Sequence, residues 1–310
     1  MRSPNPAGEI PDLGALIDTQ IRANGPMSVA EYMALCLSHP RHGYYRSGST
    51  IGAGGDFVTA PEISQVFGEL IGFFVVNLWQ QMRQPPGFTL LELGPGRGVL
   101  MEDALRAASK APGFLEALHL QLFESNGDLR AEQEKRLGKY LPYWAPEIDA
   151  IGDGPLFVIA NEFFDALPMR QYVRTPSGWH ERLIGLRDDH LAFGLAPDAT
   201  QGDLGDAPDG SVREVSAASA EAMNRLARKV AAQGGAILAI DYGYEGPKFG
   251  ETLQAIRAHA YADPFEAPGE TDLSAHVDFG ALRLAADGAG LTTQPLATQR
   301  DFLRSLRTPR

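Results

Sequence analysis

The 310-residue chain has a single cysteine, Cys36, and no stretch of 18 consecutive apolar residues. One thiol makes neither an internal disulfide nor a cysteine metal cluster, which fits a reducing compartment, and no metal site is expected. Cys36 lies in an apolar stretch and reads as a packing residue. The missing apolar run excludes a helical membrane span. The first 20 residues carry Glu9 and Asp12 and no basic region leading into an apolar run, so neither an export signal nor a transit peptide is read. The expected place is the cytoplasm of a bacterium. Basic residues are also short: 27 Lys and Arg against 39 Asp and Glu give a formal charge of −12. Phosphate-backbone affinity comes from lysine and arginine displacing counterions, so no nucleic-acid partner is expected. What is present is ordinary globular composition, 44% hydrophobic and 21% charged, long enough to bury a core without staples.

The pattern opens helical. Leu13, Leu16, Ile17 and Ile21 recur at helical spacing and Gly25 stops them. Ser28 and Glu31 form a capping box for a second helix that Pro40 ends. Residues 41 to 60 are a glycine-rich loop, after which Thr59, Pro61 and Glu62 open one long helix with the stripe Ile63, Phe67, Leu70, Ile71, Phe74 and Leu78. From Phe88 short apolar runs alternate with helical stretches: 88–93, 118–123, 156–160 and 236–240. That alternation predicts an α/β fold with a parallel, Rossmann-like sheet. Runs 171–173, 179–186 and 191–195 look like an antiparallel meander inserted at about 169–215. The expected domains are 1–87, a helical cap with a cofactor-covering loop, and 88–310, the core.

The strongest local signal is Glu92-Leu93-Gly94-Pro95-Gly96-Arg97-Gly98, after a strand and before a helix. Glycines there let the chain turn tightly and a ligand approach the backbone beside the positive end of the helix. A dinucleotide fingerprint needs glycine where Val99 stands, and no Gly-Lys-Ser/Thr follows for a P-loop. Glu124, at the end of the next strand, is placed to accept hydrogen bonds from both ribose hydroxyls. Asn161, Glu162 and Asp165 follow the third run, where open α/β sheets bind ligands. Asp56, Phe57 and Thr59 in the glycine-rich loop are expected to close over the cofactor.

These residues carry a resemblance. Gly55 to Ser64, Glu92 to Gly98, Ala160 to Pro168, Ile240 to Gly243 and Asp272 to Phe279, in that order, resemble the MidA-type methyltransferases. The resemblance runs from about Leu13 to Leu303 and includes the mitochondrial complex I assembly methyltransferase. It implies a class I fold, S-adenosyl-L-methionine (SAM) as cofactor, and methylation of an arginine on a protein partner, in mitochondria a complex I core subunit in the matrix. A homodimer is admitted by this reading and not required by it. An arginine acceptor demands carboxylates, because the guanidinium stays protonated with a pKa above about 12. Glu162 and Asp165 are the first choices, with His276, Asp241 and Asp278 behind them. A SAM-binding scaffold without catalysis and a nicotinamide-dependent oxidoreductase remain the rival readings. Class I sheets end in an antiparallel strand pair; Leu291 to Ala297 is the one candidate before Arg310, so the final strand is expected to be missing.

Overall fold

The computed structural model describes residues 12–46 and 60–306. They form two compact units, one of 12–46, 168–216 and 249–275, the other of 60–167, 217–248 and 276–306. The division expected at residue 87 is not where compactness falls. Residues 60–87 go with the core, because their helix is built to pack on it, and the inserted meander joins the N-terminal helices.

The larger unit is a parallel five-stranded sheet: β1 (Phe88–Leu93), β2 (Leu118–Phe123), β3 (Tyr143–Trp144), β4 (Leu156–Asn161) and β5 (Gly235–Ile240), in spatial order β3-β2-β1-β4-β5. All six residues of β1 are buried, as a strand covered on both faces requires. One face of the sheet packs on α1 (Gln65–Gln81) and α2 (Val99–Ala108) through Phe67, Ile71, Leu90, Leu105 and Phe157. The other packs on α4 (Ala217–Gln233) and α5 (Phe279–Gly288) through Leu91, Val158, Leu226 and Leu282; α3 (Gly127–Leu137) joins β2 to β3. The strand order reverses between β1 and β4. At such a switch point the crossovers leave in opposite directions and open a crevice beyond the carboxyl ends of both strands.

One expectation needs correction here. The long helix read from Pro61 is broken: Ala60–Ile63 is a separate turn, and Ser64 takes extended backbone and caps α1 by accepting from the Val66 N–H at 3.3 Å. Ile63 is accordingly exposed, and the buried face of α1 is Phe67, Gly68, Ile71, Gly72, Val75, Val76 and Trp79. Among the described residues, 291–298 forms no strand, and β5 pairs with β4 alone in its sheet.

The smaller unit holds the helices Leu13–Asn24 and Val29–Ser38, the second opened by the Ser28–Glu31 capping box with both halves formed. Its main sheet is antiparallel, with Arg170–Thr175 between Gly178–Arg187 and Val212–Val215, and His190–Ala199 paired to Gly178–Arg187. A second, three-stranded sheet of Gln254–Arg257, Ala260–Tyr261 and Asp272–Ser274 has no strong apolar run in the sequence.

Candidate active site at the switch point

Parallel register puts the sequence candidates in one row. Leu93 stands opposite both Phe123 and Ala160, so Gly94, Glu124 and Asn161 leave their strands side by side. The Gly94 N–H donates to the Phe123 carbonyl at 3.0 Å. Gly94, Gly96 and Gly98 have φ of 59°, 52° and 79°, the left-handed region that only glycine enters cheaply. Gly98 caps α2 with no side chain over the helix N-terminus, and a Cβ there would lie 3.3 Å from Leu137. Backbone N–H groups at that end form a ready anion-binding surface.

Glu124 is held by its neighbours. Its carboxylate accepts from the Asn126 N–H at 2.8 Å and, at 3.5 Å, from Nε2 of Gln133. Burial pushes its pKa up, against the Asn126 and Ser125 N–H groups, Gln133 and Arg130. Gln133 is a residue that sequence reasoning missed. Fully buried, it donates to the Gly96 carbonyl at 2.6 Å and accepts from the Trp144 indole at 2.7 Å, tying the glycine turn to Glu124. Nothing in a helix of mean polar character marks it, since its partners lie 37 residues upstream and 11 downstream. Arg97 of the turn is similarly tied, to Glu132 at 3.1 Å and to Glu62 at 3.5 Å.

Glu92 is buried at the end of β1 and its Oε2 has no hydrogen-bond partner; burial pushes its pKa up to about 8. A raised acid binds protons more tightly folded than unfolded, so folding stability falls as pH rises from its ordinary value of 4.5 toward 8. Glu92→Gln should therefore gain on the ligand-free wild type by roughly 4 kcal/mol between pH 5 and pH 8.5 in urea denaturation. A difference independent of pH would refute the buried, ionisable Glu92.

Beyond β4 the backbone turns sharply. Glu162 has φ 49°, a strained value for a side-chain-bearing residue. Its carboxylate accepts from the Asn161 amide and the Ala60 N–H, yet burial first and the charge of Asp165 second raise its pKa to about 7. Asp165 and Asp241, the latter just past β5, are also pushed up, both chiefly by burial, Asp241 further by Asp165. Asn161 Oδ1 and Asp165 Oδ1 are buried without a hydrogen-bond partner. His276 precedes the short strand Val277–Asp278, and the Val277 N–H donates to the Tyr242 carbonyl at 2.8 Å, which brings it to the same end of the sheet. Asp278 instead caps α5, accepting from the Ala281 N–H at 3.1 Å. Asp56, Phe57 and Thr59 lie outside the described residues.

The arrangement suits a nucleoside with two kinds of charge, an anionic group toward the helix N-terminus and a positive one toward the acids. The bare helix end and left-handed glycines offer close backbone approach, Glu124 offers a ribose acceptor, and the orphaned oxygens of Glu92 and Asn161 offer acceptors with nothing yet to accept. Among the described residues no group of three or more His, Cys, Asp or Glu is arranged to hold a metal, and no helix is long and apolar enough to cross a membrane. A separate cavity of about 850 Å³, lined by Thr89, His119, Gln121 and Tyr140, lies toward the opposite, amino-terminal ends of β1 and β2.

Sheet order, glycine turn and strand-end acids together define a class I SAM-dependent methyltransferase fold. Residues 70–296 match the family described as S-adenosyl-L-methionine-dependent methyltransferase, and the chain belongs to it, the MidA type that includes NDUFAF7. The mitochondrial protein arginine methyltransferase NDUFAF7 of Danio rerio is 37% identical over 93% of this chain and 75% of its own length. The human one is 34% identical over 93% and 71%. A superfamily member from Burkholderia thailandensis, crystallised with S-adenosyl-homocysteine, superposes with a TM-score of 0.76 at 27% identity, covering 90% of this chain and 76% of that one. SAM is thus the cofactor, and the enzyme is a methyltransferase.

Proposed function

We propose that this chain methylates a guanidinium nitrogen of an arginine on a protein partner, with Glu162 and Asp165 receiving the acceptor. The observation that carries this is the cluster of half-buried carboxyls with raised pKa at the ends of β4 and β5, one strand from the glycine turn. Such a cluster is costly alone and is relieved by a cation. The relatives named as protein arginine methyltransferases support the same acceptor.

Glu92, Gly94, Gly96, Gly98, Glu124 and Asn161 would hold SAM, which supplies a methyl group already activated on a sulfonium. The protein's share is then mainly positioning. Glu162 and Asp165 orient the planar guanidinium and keep one nitrogen in line; Glu162, whose pKa lies near 7, takes up the proton as the nitrogen gains its methyl. His276 at the same sheet end ranks behind them. The loop residues Asp56, Phe57 and Thr59 are assigned by resemblance to cover the cofactor. Resemblance likewise favours a complex I core subunit as partner; a homodimer is compatible with it. The lone cysteine supports a reducing compartment, bacterial cytoplasm or mitochondrial matrix.

The test is transfer from labelled SAM into a lysate of cells lacking the enzyme, with methylarginine located by mass spectrometry. Wild type should label a protein on arginine, whereas Gly96→Val, whose side chain enters a left-handed turn, should lose SAM affinity by at least about 100-fold and label nothing. Label on another residue type, or none while SAM binds, would refute the arginine reading.

A further inference from the structure

Asp241 has the environment of an active-site acid but its hydrogen bonds go to the chain. Its Oδ2 accepts from the N–H groups of Phe164 at 3.0 Å and Asp165 at 3.2 Å, and its Oδ1 from the N–H of Tyr242 at 2.9 Å. These bonds join the end of β5 to the turn that follows β4, where Glu162 is left-handed. Asp165 differs in one oxygen: the N–H groups of Ala166 and of Asp165 itself act on its carboxyl, but Oδ1 is buried and accepts nothing.

We infer that Asp241 is a positioning residue, holding the Glu162–Asp165 turn by two backbone N–H groups so that Asp165, and not Asp241, meets the incoming acceptor. This rests on the reading of the sheet end as the acceptor site. A left-handed residue persists only where its surroundings hold it, and two groups reach this turn from the end of β5: the Ile240 carbonyl, which accepts from the Glu162 N–H at 2.9 Å, and the Asp241 carboxylate, which fixes the two residues that follow Phe163. Two acids buried together do not both ionise cheaply, so the pair carries less than its full charge until a cation arrives. Glu162 and Tyr242 also face them: burial and then Asp165 raise Glu162, and burial and then Glu162, Asp165 and Asp241 raise the Tyr242 phenol. From the neighbouring strand come His276 and Asp278, the latter engaged at the α5 cap.

Asp241→Asn keeps an oxygen for the Phe164 and Asp165 N–H groups, gives up the acceptor for the Tyr242 N–H and removes the charge; Asp241→Ala removes all three. The first measurement needs no acceptor: melting temperature against pH with S-adenosyl-homocysteine bound. Asp241→Asn and Asp165→Asn should each gain on wild type by about 4 °C from pH 5 to pH 8.5, and the double variant should gain less than the two gains added. Gains that add fully, or that do not depend on pH, overturn the pairing. The second is labelled-methyl transfer to arginine-bearing peptides. Asp241→Ala should lose about 10- to 30-fold in kcat with S-adenosyl-homocysteine affinity within twofold, and Asp241→Asn should stay within about threefold of wild-type kcat, because its oxygen still accepts from the Phe164 and Asp165 N–H groups. Loss of kcat in Asp241→Asn equal to that in Asp241→Ala overturns the positioning role. If wild type labels no arginine peptide, the acceptor reading fails and the inference fails with it, while the melting series still reports whether the two acids are paired.

Discussion

Gly72→Val should lower the melting temperature by about 10 °C, corresponding to roughly 4 kcal/mol. The reason is the closeness of α1 and α2. A Cβ on Gly72 would lie 2.2 Å from the Ala104 carbonyl oxygen and 2.9 Å from its Cα, and one on Gly68 would lie 2.6 Å from the Asp103 Cβ and 2.9 Å from the Leu100 oxygen. The obstacles at Gly72 are backbone, so no rotamer change relieves them; the helices must separate, and Ile71, Val75 and Leu105 lose contact with the sheet. Gly127→Ala is the control, with open space around its Cβ and a position in the first turn of α3, and should change stability by no more than a few tenths of a kcal/mol. A Gly72→Val protein melting within 2 °C of wild type would mean that the two helices are not packed at this distance.

That contact shows where sequence reading stops. Apolar runs located β1, β2, β4 and β5 to within a residue: β1 and β4, buried on both faces, are continuous apolar stretches bounded by turns, and the half-buried β5 and partly exposed β2 keep enough of the same pattern. The glycine turn and Glu124 were legible for the same reason: their chemistry is local to a strand end. Gly68 and Gly72, four residues apart, were not, since a helical stripe is read from its large residues while the closest approach is made by its smallest. The break at Ser64 was hidden by a pattern that looks continuous from Ile63 to Leu78 and is settled only by which face meets the sheet. Gln133 and Asp241 were illegible in role. Each acts through bonds to backbone groups distant in sequence, 37 residues for Gly96, 77 for Phe164 and 76 for Asp165. The small sheet of 254–274 was missed because its strands are two to four residues long and carry little apolar pattern.

Glu162→Gln should reduce methyl transfer by at least about 100-fold with SAM affinity within twofold, the loss expected when a positioned proton acceptor and counter-charge are removed together. Glutamine has nearly the same shape and still accepts from the Asn161 amide and the Ala60 N–H, so the turn is kept and the charge alone is lost. The pH profile gives the sign. Glu162 must be ionised to hold a guanidinium and take its proton, so wild-type kcat/KM is present above about pH 7 and falls as pH drops through that value. Stability runs the other way: a carboxyl raised from 4.5 to about 7 costs nothing below its ordinary value and most above pH 7, where transfer is expected. Glu162→Gly separates the two contributions. Removing the side chain also releases the strain of φ 49°, worth about 1 kcal/mol, so this variant should melt higher than Glu162→Gln at every pH and be as inactive. Turnover of Glu162→Gln within threefold of wild type, measured with labelled SAM and a verified acceptor, would remove Glu162 from the reaction. A Glu162→Gly protein less stable than Glu162→Gln would show that its left-handed backbone is not strained. The expected pair of results, lower activity with higher stability, places the cost of the buried acid in the folded state and its use in the acceptor complex.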